Sequence, residues 1–173
     1  MGQDCILPSG SQIENLRHRA RDIDAIVPLW REMMELHQQL EPLNWTIGAD
    51  ANDTFRSYLG KCLDDPDRLV AVAVCAGEIV GYLHAAKTRR LPLLESPVEG
   101  TIEGCCVARD ARRRGVGRML VAEAMTWFRA QGLTVAKAGY ALANPLSGPF
   151  WNALGFRPCV VIGIRPVASE EAP

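Results

Sequence analysis

The sequence predicts an α+β domain built on a mixed, mainly antiparallel sheet flanked by helices, and three observations carry that prediction. Two β-rich apolar runs, Leu69 to Ala76 and Ile79 to Ala86, are separated only by Gly77-Glu78, the length of a tight hairpin. One strand-helix-strand unit follows later in the chain, over Thr101 to Ala108, Gly115 to Gln131 and Thr134 to Ala141. Helical patterns come before the hairpin instead of alternating with the strands, which argues for a sheet of mixed direction.

The elements follow in order. Residues 1–12 read as a loose start, and Ile13 to Ala20 as a short strand. Asp22 or Asp24 caps a helix whose apolar residues Ile26, Leu29, Trp30, Met33 and Leu36 have the spacing of one buried face, and Pro42 stops it. Leu43 to Asn52 is polar and irregular. Asn52 or Asp53 then caps a second helix through Phe55, Tyr58, Leu59 and Cys62, which ends at Asp64 to Asp67. After the hairpin, Leu91 to Gly100 with its two prolines reads as a loop leading into Thr101 to Ala108. The helix Gly115 to Gln131 turns Leu120, Val121, Ala124, Trp127 and Phe128 inward, and Gly132 ends it. Asn144-Pro145 opens a short helix, Phe156 to Ile164 closes the fold as a last strand, and residues 167–173 form a flexible tail. A single domain over 13–166 is expected, since neither a repeat nor a linker divides the chain.

Composition narrows the function. The 173 residues are 48% hydrophobic and 23% charged, enough for one sizeable core. A net charge of -1 gives no long-range field to hold a polyanion, which argues against a nucleic-acid partner. Cys5, Cys62, Cys75, Cys105, Cys106 and Cys159 show neither a CxxC pair nor a His/Cys metal spacing, so they read as reduced thiols and no metal site is expected. No leader pattern and no run approaching a membrane span appear, and a cytoplasmic protein is expected. Gly2 follows the initiator Met, but Ile6 stands where a myristoylation signal needs Ser or Thr.

The chemistry concentrates in Val107 to Leu120, VARDARRRGVGRML, where a strand meets a helix through a loop rich in arginine and glycine. Gly115 and Gly117 let the backbone approach a ligand closely, and the first helical amides have no internal partner. An anion such as a pyrophosphate suits that place. The helix dipole supplies only about 0.3–1 kcal/mol, whereas each hydrogen bond to a charged group contributes about 1.5–3. Arginines crowded at a positive helix end are unfavourable without an anion, which sets this loop apart from a solvated face. GxxxxGK[ST] is absent, and Leu120 stands where GxGxxG needs its third glycine, so neither a P-loop nor a dinucleotide loop is read here.

Arg112-Arg113-Arg114-Gly115-Val116-Gly117 resembles the acyl-CoA signature Q/R-x-x-G-x-G/A of the GNAT family of N-acetyltransferases. IEGCCVA resembles the family's fourth strand, and Asn144, Phe150-Trp151 and Leu154-Gly155-Phe156 resemble its N…(F/L)Y…GF segment. The resemblance spans Ile13 to Arg165. It implies a sheet splayed between its fourth and fifth strands, with the pantetheine arm of acetyl-CoA in the splay against Cys106 and Val107. It also implies that the amides of Arg113, Arg114, Gly115, Val116, Gly117 and Arg118 hold the pyrophosphate beside Arg112, and that Asn144 reaches the pantetheine amide.

The reaction so implied is transfer of acetyl from acetyl-CoA to a primary amine by direct attack. An alkylammonium of pKa about 10.4 loses its proton at neutral pH at a cost of about 4 kcal/mol, whereas expelling a thiolate of pKa about 8.5 costs about 1–2. A base therefore matters more than an acid. A period of two places Thr101, Glu103, Cys105 and Val107 on one strand face, with Ile102, Gly104, Cys106 and Ala108 on the other. Glu103 is the charge among them, and several relatives take the amine's proton, directly or through water, on a Glu at this place. A Glu paired to a nearby arginine is the competing reading. Trp151 stands where many relatives carry a proton-donating Tyr, and an indole N–H cannot hand over that proton. That departure favours an alternative, an acyl-CoA-binding sensor or interaction module of the same fold. Cys105-Cys106 reads as core fill. His37, Gln38, Glu41 and Trp45 lie where the family builds its acceptor pocket, while acids at Glu32, Glu35, Glu41, Asp50 and Asp53 suggest a cationic acceptor. A homodimer fits the resemblance.

Overall fold

A computed structural model describes residues 12–15 and 22–167, and the loose start, most of the predicted first strand and the end of the tail lie outside them. In chain order the elements are β1 (Gln12–Asn15), α1 (Ile23–Leu40), α2 (Ala51–Asp64), β2 (Arg68–Cys75), β3 (Glu78–Arg89) and β4 (Val98–Val107). A 3-10 turn (Arg109–Ala111), α3 (Val116–Ala130), β5 (Ala136–Ala138) and α4 (Ser147–Ala153) complete them. The five strands form one open sheet in the order β1-β2-β3-β4-β5, antiparallel up to β4 and parallel between β4 and β5.

The sheet is buried on both faces at β2, which is apolar at every position from Leu69 to Cys75. In β2, Leu69, Ala71 and Ala73 face α3, while Val70, Val72 and Val74 face α1 and α2. Leu120, Val121, Ala124 and Phe128 supply the α3 side, and Ile26, Val27, Phe55 and Leu59 the other, all 7% exposed or less. Burying a side chain of this size stabilises the fold by about 1.5–3 kcal/mol. Among the described residues, no helix is long and apolar enough to cross a membrane.

Several expected boundaries move, each for a local reason. The hairpin turn is Ala76-Gly77, not Gly77-Glu78; both residues have positive φ, 51° and 88°, as a type I′ turn requires, and Cys75 pairs with Glu78. Asp50 begins α2, so Asn52 and Asp53 lie in its first turn, where Asp53 pairs with Arg56. Strands β3 and β4 extend to Arg89 and from Val98, because their antiparallel ladder continues through Thr88↔Glu99 and Arg89↔Val98 in the stretch expected to be loop. Asn144 stands in the turn before α4, whose N-cap is Leu146.

The predicted last strand over Phe156 to Ile164 is absent; the segment is irregular, and Val160, Val161 and Ile162 are 72–83% exposed. Its β-branched composition gives it strand propensity, but a strand needs a partner edge to satisfy its backbone, and no strand of the sheet pairs with it.

Candidate functional site

Strands β4 and β5 pair only from Gly100↔Ala136 to Ile102↔Ala138, whereas β4 runs on to Val107. Beyond Ile102 the two separate, and a cleft of about 1420 Å³ lies along the freed end of β4. That exceeds the ~300–1,000 Å³ of a drug-sized ligand site. Its walls come from α1 (Glu32, Met33, Leu36), the end of β4 (Cys105, Cys106, Val107) and the start of α3, closed by the Asn144 turn and α4 (Phe150, Trp151).

The loop into α3 is shaped for an anion. Arg113 takes φ 63° and Gly115 φ 81°, so the backbone turns tightly before the helix begins at Val116. The amide of Met119 donates to the Gly115 carbonyl at 3.1 Å, the first rung of the helical ladder. The amides of Val116, Gly117 and Arg118 therefore precede the ladder and point out of the helix end. A non-glycine residue at positive φ costs of order 1 kcal/mol or more, and such strain gathers at ligand clamps. At Gly117 a Cβ would stand 3.0 Å from Phe150 Cε2, so the missing side chain lets α4 close against the helix start.

The arginines divide their work. Arg112 Nε donates to the Val107 carbonyl and its Nη2 to Glu32, both at 2.8 Å, tying α1 to the loop. Arg109, Arg113 and Arg118 line the cleft with it, whereas the exposed Arg114 side chain does not. Asn144 is 8% exposed; its Oδ1 accepts from the Leu146 amide at 3.0 Å, while its Nδ2 makes none of the turn's hydrogen bonds and is the donor left for a ligand. Trp151 is 6% exposed and packs edge-on against Phe150 and Phe156 with centroids 5.0 and 5.1 Å away.

The expected strand faces are corrected at Glu103. The ladder shifts register between His84↔Gly104 and Ala85↔Ile102, which leaves Glu103 as the extra residue of a β-bulge. Ile102 and Cys105 consequently both face α3, and Glu103 turns to the side of α1 and α2, the face of Cys106. There its Oε2 accepts from the Tyr58 hydroxyl at 2.5 Å and from Arg68 Nη1 at 2.9 Å, with His84 Nδ1 at 3.5 Å. Hydrogen bonding from His84, then from Tyr58 and the Arg68 charge, lowers the carboxyl to about 2 against the opposing effect of burial. Burial and the bond to Glu103 push the Tyr58 hydroxyl up, so it remains a donor. No local sequence signal marks Tyr58 or Arg68 as partners of Glu103, because the contact joins segments far apart in the chain and depends on the bulge.

Other sequence candidates separate from this centre. Gln38 accepts from the Ile47 amide at 2.7 Å and orders the loop after α1, and His37 packs on Trp45 at 5.0 Å with burial lowering its basicity. Burial pushes the Cys105 and Cys106 thiols up to about 12 and 11, so neither offers a thiolate at neutral pH, and Cys106 Sγ donates to the Leu29 carbonyl. Among the described residues, no group of three or more His, Cys, Asp or Glu is placed to hold a metal ion.

A separated strand pair, a helix start armed with free amides and an arginine-glycine turn of this sequence are the marks of one family, and a model of the acetyltransferase (GNAT) family matches residues 30–156. The chain belongs to the GNAT family. No curated protein matches the sequence. Among solved structures, this GNAT chain is similar to a tetramutant of the BH1408 protein from Bacillus halodurans, with TM-score 0.78 and 18% identity over 90% of this chain and 99% of that one. It is also similar to the aminoglycoside 6'-N-acetyltransferase AAC(6')-Ig from Acinetobacter haemolyticus, with TM-score 0.68 and 19% identity over 91% and 99%. A third similar structure is AAC(6')-Iy in complex with a bisubstrate analogue, CoA-S-monomethyl-acetylneamine, with TM-score 0.69 and 21% identity over 92% and 100%. At these identities the three show a shared fold. The GNAT sheet, splayed between its fourth and fifth strands, is the architecture the sequence resemblance implied.

Proposed function

We propose that this protein is an N-acetyltransferase that moves the acetyl group of acetyl-CoA to a primary amine of a small molecule or peptide by direct attack. The observation that carries the reading is the cleft where β4 leaves β5, with its helix-start amides at one end and its unpaired β4 backbone along one wall. The donor set fits the cosubstrate: amides 113–118, Arg112 and Arg118 suit a pyrophosphate, and Cys106, Val107 and the Asn144 Nδ2 suit a pantetheine amide. Trp151 gives that arm an apolar wall.

In the reaction a C–N bond forms, the C–S bond of the thioester breaks, the amine gives up a proton and the CoA sulfur takes one from water. Glu103 is the residue assigned to the amine. A carboxyl lowered to about 2 does not keep a proton taken from an ammonium, so Glu103 acts as a fixed negative charge that holds the amine while water takes its proton. The high-lying Cys105 and Cys106 thiols support direct attack over an acyl-cysteine route. A homodimer is proposed as the assembly, since exposed Val160, Val161 and Ile162 offer apolar surface to bury, and sedimentation reads it.

Release of CoA thiol from acetyl-CoA in the presence of an amine panel is the test. Turnover with one or more amines is expected. Trp151, which cannot protonate a leaving thiolate, favours a second reading, an acyl-CoA-binding module without turnover; tight acetyl-CoA binding with no CoA release from any amine would establish that one.

A further inference from the structure

Resting on the transfer reading, we infer that the acceptor is a monoamine with an aromatic or apolar body, held by a single ammonium at Glu103, and not a polycation such as an aminoglycoside or polyamine. The cleft is lined by four arginines, Arg109, Arg112, Arg113 and Arg118, against two acids, Glu32 and Glu35. Both acids are engaged, Glu32 by Arg112 and Glu35 by Arg31, each at 2.8 Å. Of the other acids around the first two helices, Asp24 and Asp53 share Arg56. A polycation needs several carboxylates free at once, and the two acids of the cleft are each held by an arginine. Of the five acids that suggested a cationic acceptor, Glu32, Glu35 and Asp53 are therefore engaged by arginines of the same chain.

Glu103 differs from these acids. Its contacts with Tyr58, Arg68 and His84 all fall on Oε2, while Oε1 makes none of them, and the side chain keeps 28% of its exposure. Arg68 is itself shared with Asp65 at 3.5 Å. One carboxylate oxygen is thus presented on the bulge, on the α1 and α2 side of the sheet that it shares with the cleft-lining Cys106. Beside it stands a run of rings. Tyr58 meets the His84 ring edge-on at 5.6 Å and stacks toward Phe55 at 6.2 Å, and Trp30 stacks on Phe55 at 4.5 Å. Tyr58 and Trp30 are only partly buried, and α1 joins this ring wall to the apolar Met33 and Leu36 of the cleft. One anionic oxygen beside aromatic faces recognises one ammonium on an apolar body.

The test uses the full chain with CoA present and reads binding and turnover separately for phenethylamine, tryptamine, spermidine and kanamycin. Calorimetry should give the aromatic monoamines at least tenfold tighter binding than either polycation, and kcat/KM should follow the same order. Glu103→Gln should weaken monoamine binding about tenfold or more while leaving acetyl-CoA affinity within twofold and the melting temperature measurable. Equal or tighter binding of spermidine or kanamycin overturns the inference, as does monoamine affinity unchanged in a folded Glu103→Gln protein. Monoamine binding lost in Glu103→Gln, but with no CoA released by the parent, upholds the acceptor site and overturns the transfer reading instead. Failure of every amine to bind overturns the inference whether or not acetyl-CoA binds.

Discussion

At the scale of single residues, Glu103 is the side chain proposed to hold the amine, and its charge makes two predictions. Glu103→Gln should lower kcat/KM by about 10²-fold at pH 7, with a smaller loss at high pH where free amine is abundant. Because its carboxyl is lowered to about 2, no inflection from Glu103 should appear in the pH-rate profile near neutrality, which should rise with the free-amine fraction. The same group links to stability. Its folded value lies below the unfolded carboxyl value of about 4.3, so its stabilisation is present above that pH and is lost as pH falls toward 2. Acid melts of Glu103→Gln should show a shallower loss than wild type over that window. Trp151 gives the opposite expectation. Packed among Phe150, Phe156 and Tyr140, it belongs to the core as well as to the cleft wall, so Trp151→Phe should cost about 1–2 kcal/mol in thermal melts and keep kcat within about tenfold. A true general acid would lose 10²- to 10⁴-fold. Glu103 was legible as the charge in an apolar strand, but its partners were not, since nothing in the local sequence marks Tyr58 or Arg68 as its neighbours.

At the scale of elements, the β4 bulge decides which way Glu103 faces, and Gly104 makes room for what holds it. A Cβ on Gly104 would lie 2.4 Å from His84 Nε2, so Gly104→Ala must displace the imidazole. The overpacking should cost about 1–3 kcal/mol by thermal melting. It should also raise the Glu103 carboxyl toward its ordinary range, because His84 is the largest contributor to its lowering; a carboxyl titration by NMR reads that shift. An unmoved Glu103 titration in a folded Gly104→Ala protein would remove His84 from the cluster. The same bulge explains where the sequence was readable. Helices α1 and α3 and the β2-β3 hairpin announce themselves by periodicity and turn residues, which are local properties. A bulge adds one residue without any compositional mark, so a strict period of two assigned Cys105 and Glu103 to one face when they point to opposite ones. The run over Phe156 to Ile164 has the composition of a strand, but pairing is a property of the edge it meets, which composition does not encode.

At the scale of the whole molecule, the two cores meet at the sheet, and the cleft opens where β4 runs on beyond its pairing with β5. Arg112 joins β4, the anion loop and α1 through the Val107 carbonyl and Glu32, so a ligand held at the start of α3 bears on both layers. Binding there should stabilise the fold as a unit. For a ligand at about 100 times its Kd the linkage is about 2.7 kcal/mol, and in a domain of this size each kcal/mol raises Tm by about 2–4 °C, so acetyl-CoA should raise Tm by roughly 5–11 °C. Affinity in the micromolar range would place that shift near 100 μM to 1 mM cosubstrate. Gly117→Val should abolish it, because the new side chain meets Phe150 and crowds the helix-start amides. The substitution also strains the packing of α4, so its unliganded Tm should fall by an amount matching about 1–3 kcal/mol. Arg114→Ala supplies the control: that side chain is exposed and outside the cleft lining, its amide survives the substitution, and the ligand-induced shift should stay within a few degrees of wild type. Differential scanning calorimetry at increasing acetyl-CoA checks all three proteins together. A shift retained by Gly117→Val, or lost in Arg114→Ala, would move the anion site away from the start of α3.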